Sequence, residues 1–119
     1  MANEKISKKE AEEIKKVFEY DFLGKTWSDI SRYQKLSEEF IEKYSDRVIW
    51  IYVSAYQKLS ENFIEEHVDE VDWHYISKCQ KLSEEFIEKY SDRVIWDYMS
   101  SYQKLSEEFI EKYSDRVIW

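Results

Sequence analysis

The chain contains no proline, one glycine (Gly24) and one cysteine (Cys79) in 119 residues. Tight turns between strands ordinarily draw on glycine and proline, so a turn-rich β fold is not expected. A lone cysteine cannot close an internal disulfide, which suits a reducing compartment. No apolar run approaches the roughly 18 residues of a membrane span. The opening residues, MANEKISKKEAEE, lack the apolar stretch of a secretion signal. Positive charge is also short: 18 Lys and Arg stand against 26 Asp and Glu, a formal net charge of −8. Sequence-independent nucleic-acid binding needs a basic surface to displace counterions, so direct binding of nucleic acid is not expected. A protein partner with a basic surface remains compatible with this charge. Together these absences predict a soluble cytoplasmic protein without a membrane role.

Aromatic residues are plentiful at 18%, and disordered chains are poor in them, so a packed core is expected. The length suits one domain, 1–119. Tryptophan falls at positions 27, 50, 73, 96 and 119, a strict period of 23. Leu36, Leu59, Leu82 and Leu105 keep step, as do Phe40, Phe63, Phe86 and Phe109, and Ile41, Ile64, Ile87 and Ile110. The string QKLSEEFIEKYSDRVIW occurs unchanged at 34–50, 80–96 and 103–119. Such a period marks a stacked repeat array.

Each period reads as two short helices. Ser83 caps the first, with Glu84 and Glu85 at the positive end of its dipole. Phe86, Ile87 and Tyr90 make its apolar face, and Leu82 sits at the hydrophobic-staple position. Asp92 is the expected cap of the second, which carries Val94, Ile95, Trp96, Met99 and Tyr102. Ser100 and Gln103 share the Trp96 face, the serine being small enough for close helix approach. Helices this short are marginal alone, so stacking is required. Residues 1–26 read as a longer capping helix: Ser7 and Glu10 form a capping box, Ile14, Val17, Phe18 and Phe22 share a face, and Gly24 offers a stop. The fold class is therefore all-α, an αα-solenoid of short helix pairs with an N-terminal capping helix (1–26) and four repeats (27–119). The far edge, with Phe109, Tyr113, Val117 and Trp119, is expected to be exposed and is a candidate for homo-oligomer formation.

The pattern W-x-x-I-S-x-x-Q-x-L-S-E-x-F-I runs here from Trp73 through Ile76, Ser77, Gln80, Leu82, Ser83 and Glu84 to Phe86 and Ile87. It resembles a short Trp-containing repeat of bacteriophage and large DNA virus proteins. The resemblance covers about residues 27–119 and implies no catalytic motif. It raises the expectation of a phage-encoded inhibitor of host machinery, of the anti-CRISPR kind, acting in the host cytoplasm.

Departures from the repeat concentrate in the second copy, residues 57–73. Asn62, Glu66, His67, Val68, Glu70 and Asp72 stand where the other copies read Glu, Lys, Tyr, Ser, Arg and Ile. Each unchanged copy carries a net −1, whereas 57–73 carries −5, so over half of the chain's charge lies there. Glu61, Glu65, Glu66, Asp69, Glu70 and Asp72 are thus the candidate partner-binding patch; the plain alternative is a solvated helix face.

Chemistry is otherwise sparse. His67, His74 and Cys79 near Asp69, Glu70 and Asp72 invite a metal reading, but although Glu70 and His74 are four apart, no second His or Cys shares that face at three or four residues. Cys79 has His74 five residues away in acidic surroundings, which does not activate a thiol. The many carboxylates lack an identifiable cleft that would separate an acid from a base, and no glycine-rich loop offers a phosphate cradle. No enzyme activity, metal or cofactor is expected. The column Tyr52, Tyr75, Tyr98 is either a recognition ladder or a cover for the core.

Overall fold

The computed structural model describes residues 4–116. Among them the regular elements are helical, apart from one isolated antiparallel bridge between Lys5 and Thr26. The chain divides into two compact units, Met1–Gln57 and Lys58–Trp119. The first holds α1 (Lys8–Phe18), α2 (Trp27–Tyr33), α3 (Glu38–Lys43) and α4 (Trp50–Tyr56). The second holds α5 (Glu61–Glu66), α6 (Trp73–Cys79), α7 (Glu84–Lys89), α8 (Met99–Tyr102) and α9 (Glu107–Lys112), with a 3-10 turn, Trp96–Tyr98, leading into α8. Helix pairs follow one another in each unit: α2 packs on α4, and α6 packs on α8 and the turn before it. The all-α, solenoid-like repeat expected from the 23-residue period is what the chain forms.

The first helix of each pair begins where serine predicts. Ser37, Ser60, Ser83 and Ser106 accept the backbone N–H of Phe40, Phe63, Phe86 and Phe109 at 3.1, 3.1, 3.1 and 3.2 Å. One orphan donor per helix is satisfied this way, and the acids of the first turn suit the dipole. The phenylalanines that follow are buried, as are Leu36, Leu59 and Leu82 and, completely, Ile41, Ile64 and Ile87.

The second helix starts three residues later than Asp92 suggests. Asp92 lies in the turn after α7, and the helical segment opens at Trp96 behind an Ile95 cap that makes no side-chain bond. The backbone of Ile95 is instead held by the repeat before it: its N–H donates to Ser77 Oγ at 2.9 Å, as Ile49 N–H donates to Ser31 Oγ at 3.0 Å. The serine column therefore holds the next repeat in addition to allowing close approach; Ser31, Ser54 and Ser77 are fully buried.

Glutamine completes the register. Gln57 Nε2 donates to the carbonyls of Ser31 (2.9 Å) and Gln34 (2.7 Å), while its Oε1 accepts Leu36 N–H at 3.0 Å. Gln103 repeats all three bonds, to Ser77, Gln80 and Leu82, and Gln80 Oε1 accepts Leu59 N–H. The loop between the two helices of one repeat is thus satisfied by a side chain of the next, as buried backbone groups require.

The N-terminal segment caps the first repeat, with a shorter helix than expected. Ser7 Oγ accepts Glu10 N–H at 3.1 Å, so the predicted cap is present. The helix ends at Phe18, with Glu19 in the left-handed region (φ 64°), and Gly24 (φ 79°) serves a later turn. Ile14 is fully buried but Val17 is 59% exposed, which removes Val17 from the predicted face. Phe18, Tyr20 and Phe22 instead surround Phe40, with ring centroids 5.2, 5.4 and 5.8 Å away. Tyr20 Oη accepts Ser37 N–H, and Arg47 pairs with Glu10 at 2.5 Å.

Candidate interaction surface

The six acidic residues singled out by charge divide into two groups. Glu61, Glu65 and Asp69 occupy columns that are acidic in every copy, and the structure uses them to join α5 and its turn to the following repeat. Glu61 accepts Ser83 N–H at 2.6 Å and Ser83 Oγ at 3.0 Å. Glu65 pairs with Lys89, and Asp69 with Arg93 at 3.0 Å. One repeat further on, Glu84 holds Ser106 and Glu88 pairs with Lys112. Lys89 holds the Glu65 carboxyl below the usual carboxylate range, and Lys112 does so for Glu88. Both lysines are raised in return by their carboxylates.

Glu66, Glu70 and Asp72 are the true departures. Glu66 and Glu70 are exposed. They stand in the columns of Lys89 and Lys112, which pair with the preceding repeat, and of Arg93, which does the same. Arg47 and Arg116, also in the Glu70 column, lie over the rings of Trp27 and Trp96 at 5.2 and 5.6 Å. Glu70 bonds His67 Nδ1 at 2.5 Å. His67 takes the place of a column tyrosine: it is buried, with its ring 4.5 Å from Phe63. Asp72 Oδ1 caps α6 by accepting Tyr75 N–H at 3.2 Å.

The edge proposed for self-association is more closed than expected at two positions. Phe109 and Tyr113 are buried, their rings 6.3 and 5.0 Å from Trp96. Trp96 thus covers this helix as Trp27 covers Phe40 and Tyr44 and Trp73 covers Phe86 and Tyr90. Leu105 and Ile110 are half-buried, where Leu82 and Ile87 are buried. Val117 and Trp119 lie outside the described residues.

Tyrosines form a second surface feature. Tyr33, Tyr56 and Tyr102 are 68, 55 and 52% exposed, and Tyr75 is 38% exposed. Tyr52 and Tyr98 are half-buried, so the column of Tyr52, Tyr75 and Tyr98 is part cover and part surface. In the first unit the Arg32 guanidinium lies 5.1, 5.5 and 5.4 Å from the ring centres of Tyr33, Tyr52 and Tyr56. In the second, Lys78 stands 5.9 and 5.6 Å from those of Tyr98 and Tyr102. Sequence reasoning missed these cations because their column alternates: Arg32, Ala55, Lys78, Ser101. A cleft of about 250 Å³ lies in the second unit, lined by Asp72, His74, Tyr75, Lys78 and Tyr98. His74 is exposed and meets Tyr98 edge-on, ring centres 6.1 Å apart, and Cys79 is exposed.

Among the described residues no helix is long and apolar enough to cross a membrane. The chain matches no protein-family model, no curated protein and no solved structure.

Proposed function

We propose that the protein is a non-enzymatic protein-binding repeat module whose partner presents a basic surface. One observation carries this reading. Glu66 and Glu70 are exposed in columns where other copies place the Lys and Arg that tie repeats together. Folding favours cations at those columns; Glu70 answers the buried His67 of the same copy, so the exposed Glu66 is the charge best explained by something outside the fold. The finer reading follows the resemblance of the repeat to those of phage and large DNA virus proteins. It is a phage-encoded inhibitor, acting in the host cytoplasm, that occupies the nucleic-acid-binding surface of a defence complex such as CRISPR–Cas.

The test is reversion to the repeat background. Glu66→Lys and Glu70→Arg, made together with His67→Tyr so that the His67–Glu70 pair is replaced as a unit, install the residues that other copies already carry in these columns. Capture from a host lysate at low salt should retain a basic, nucleic-acid-handling complex on the wild type. The reverted protein should hold it at least about tenfold less tightly. Equal retention by both would overturn the acidic-surface reading.

A second reading, a self-assembling structural repeat, is favoured by the half-buried Leu105 and Ile110. Their counterparts in earlier repeats are buried, which leaves an apolar edge for a second copy.

A further inference from the structure

We propose that the cleft of Asp72, His74, Tyr75, Lys78 and Tyr98 receives an arginine side chain of a basic partner segment. The inference rests on the acidic-surface reading and names the group that the partner inserts.

The cleft holds the right chemistry for a guanidinium. Two tyrosines line it, and a ring face attracts a cation within about 6 Å of its centre. This protein already uses its tyrosines so: Arg32 lies over three rings and Lys78 over two. Asp72 supplies a carboxylate whose position is fixed by its bond to Tyr75 N–H. A carboxylate has about four acceptor sites, so the cap bond and a partner's donors are compatible. Arginine fits better than lysine. Its flat guanidinium stacks on a ring while its fork of N–H groups reaches a carboxylate, whereas an ammonium is a compact, strongly hydrated charge. At about 250 Å³ the space is smaller than a drug-sized pocket and suits one long side chain.

Two of the lining residues are themselves departures from the repeat. Asp72 replaces Ile49 and Ile95 in its column, and His74 replaces Ile51 and Asp97. The copy that carries the excess charge therefore also carries the residues that distinguish this cleft. The three ionisable departures of that stretch that carry charge, Glu66, Glu70 and Asp72, are all acidic, which favours a cationic occupant over an anionic one. Lys78 opposes a second cation, but its ammonium is drawn to Tyr98 and Tyr102. An arginine is thereby directed towards Tyr75 and Asp72.

The experiment titrates the full chain with capped tetra-arginine and tetra-lysine peptides, read by calorimetry and by the ring resonances of Tyr75, Tyr98 and His74. Asp72→Asn removes the charge and keeps an acceptor for the α6 cap. Lys78→Ala removes the competing cation and installs the residue that stands at position 55. The arginine peptide should bind the wild type about tenfold tighter than the lysine peptide and shift those resonances. Asn at 72 should cost about tenfold in that affinity, and Ala at 78 should improve it. Equal affinity for the two peptides, no effect at Asp72, or weaker binding without Lys78 would each overturn the proposal, the last by pointing to an anionic occupant. If both peptides bind and only the Glu66 and Glu70 reversion weakens them, the cleft fails while the acidic surface stands. If neither peptide binds, both fail.

Discussion

Gln57 is buried and engages one amide and two carbonyls of the preceding repeat, so its removal strands three backbone groups at once. Leaving buried donors and acceptors unsatisfied costs about 1–3 kcal/mol each, less where water enters the gap. Gln57→Ala should therefore destabilise by about 3 kcal/mol, read from the midpoint of urea unfolding. Gln57→Glu should be no milder: a carboxylate can accept Leu36 N–H but cannot donate to the Ser31 and Gln34 carbonyls. A loss below about 1 kcal/mol for both would deny the glutamine its bridging role. The sequence displays this column plainly and hides its use, because the partners are backbone groups 21–26 residues away. The acidic patch has the same difficulty. Charge counting groups Glu61 with Glu66, yet Glu61 holds Ser83 while Glu66 stands in a lysine column. Comparing copies separates the two kinds of residue; summing their charges does not.

At the level of helices, what can be read locally is read correctly. Ser37, Ser60, Ser83 and Ser106 cap α3, α5, α7 and α9 because a cap depends only on residues three apart. The start of the second helix is local only where the cap residue can accept: Thr26 and Asp72 accept the N–H three residues on, whereas Ile49 and Ile95 offer no acceptor and have their own N–H groups held by a serine one repeat earlier. No pattern within seven residues reveals that, and Asp92 looked like the better cap. Between helices, the pairs Glu65–Lys89 and Glu88–Lys112 set a pH response. Each carboxyl is held below its ordinary 4.5 by its lysine, and each lysine is lifted above 10.5 by its carboxylate. A lowered carboxyl contributes stability above its unfolded value and loses it as pH falls through its folded value. A raised lysine contributes below its unfolded value and loses it as pH rises through the folded one. The ladder is thus fully formed at neutral pH and fails in acid and in strong alkali. These groups lie at the surface, so the effect should be modest and salt-sensitive. Glu65→Gln with Glu88→Gln should lower the unfolding midpoint at pH 7 and leave it unchanged at pH 2, where the wild type has lost the same charges. A difference that persists undiminished at pH 2 would assign it to packing.

For the molecule as a whole, a net charge of −8 makes the two proposed associations respond oppositely to salt. A basic partner is attracted through the acidic surface, and added salt screens that attraction, with a Debye length of about 10 Å at 0.1 M. Two copies of this chain repel one another, and the same salt screens the repulsion. Contact through Leu105 and Ile110 is apolar and is not weakened by screening. Raising salt from low to physiological strength should therefore loosen partner binding while it promotes self-association. The substitutions that separate the two follow from burial. Phe109 and Tyr113 pack against Trp96, so a polar change there would disrupt the last repeat itself. Leu105→Gln with Ile110→Gln acts on half-buried positions and reduces the apolar edge with less damage to the core. Light scattering over a range of concentrations and salt should show mass rising with both for the wild type and staying monomeric for this variant. Partner affinity should be the same for both proteins. A mass that falls as salt rises would mean that copies associate through unlike charges, with the acidic second copy meeting basic residues of a neighbour, and the apolar edge would then have no part in assembly.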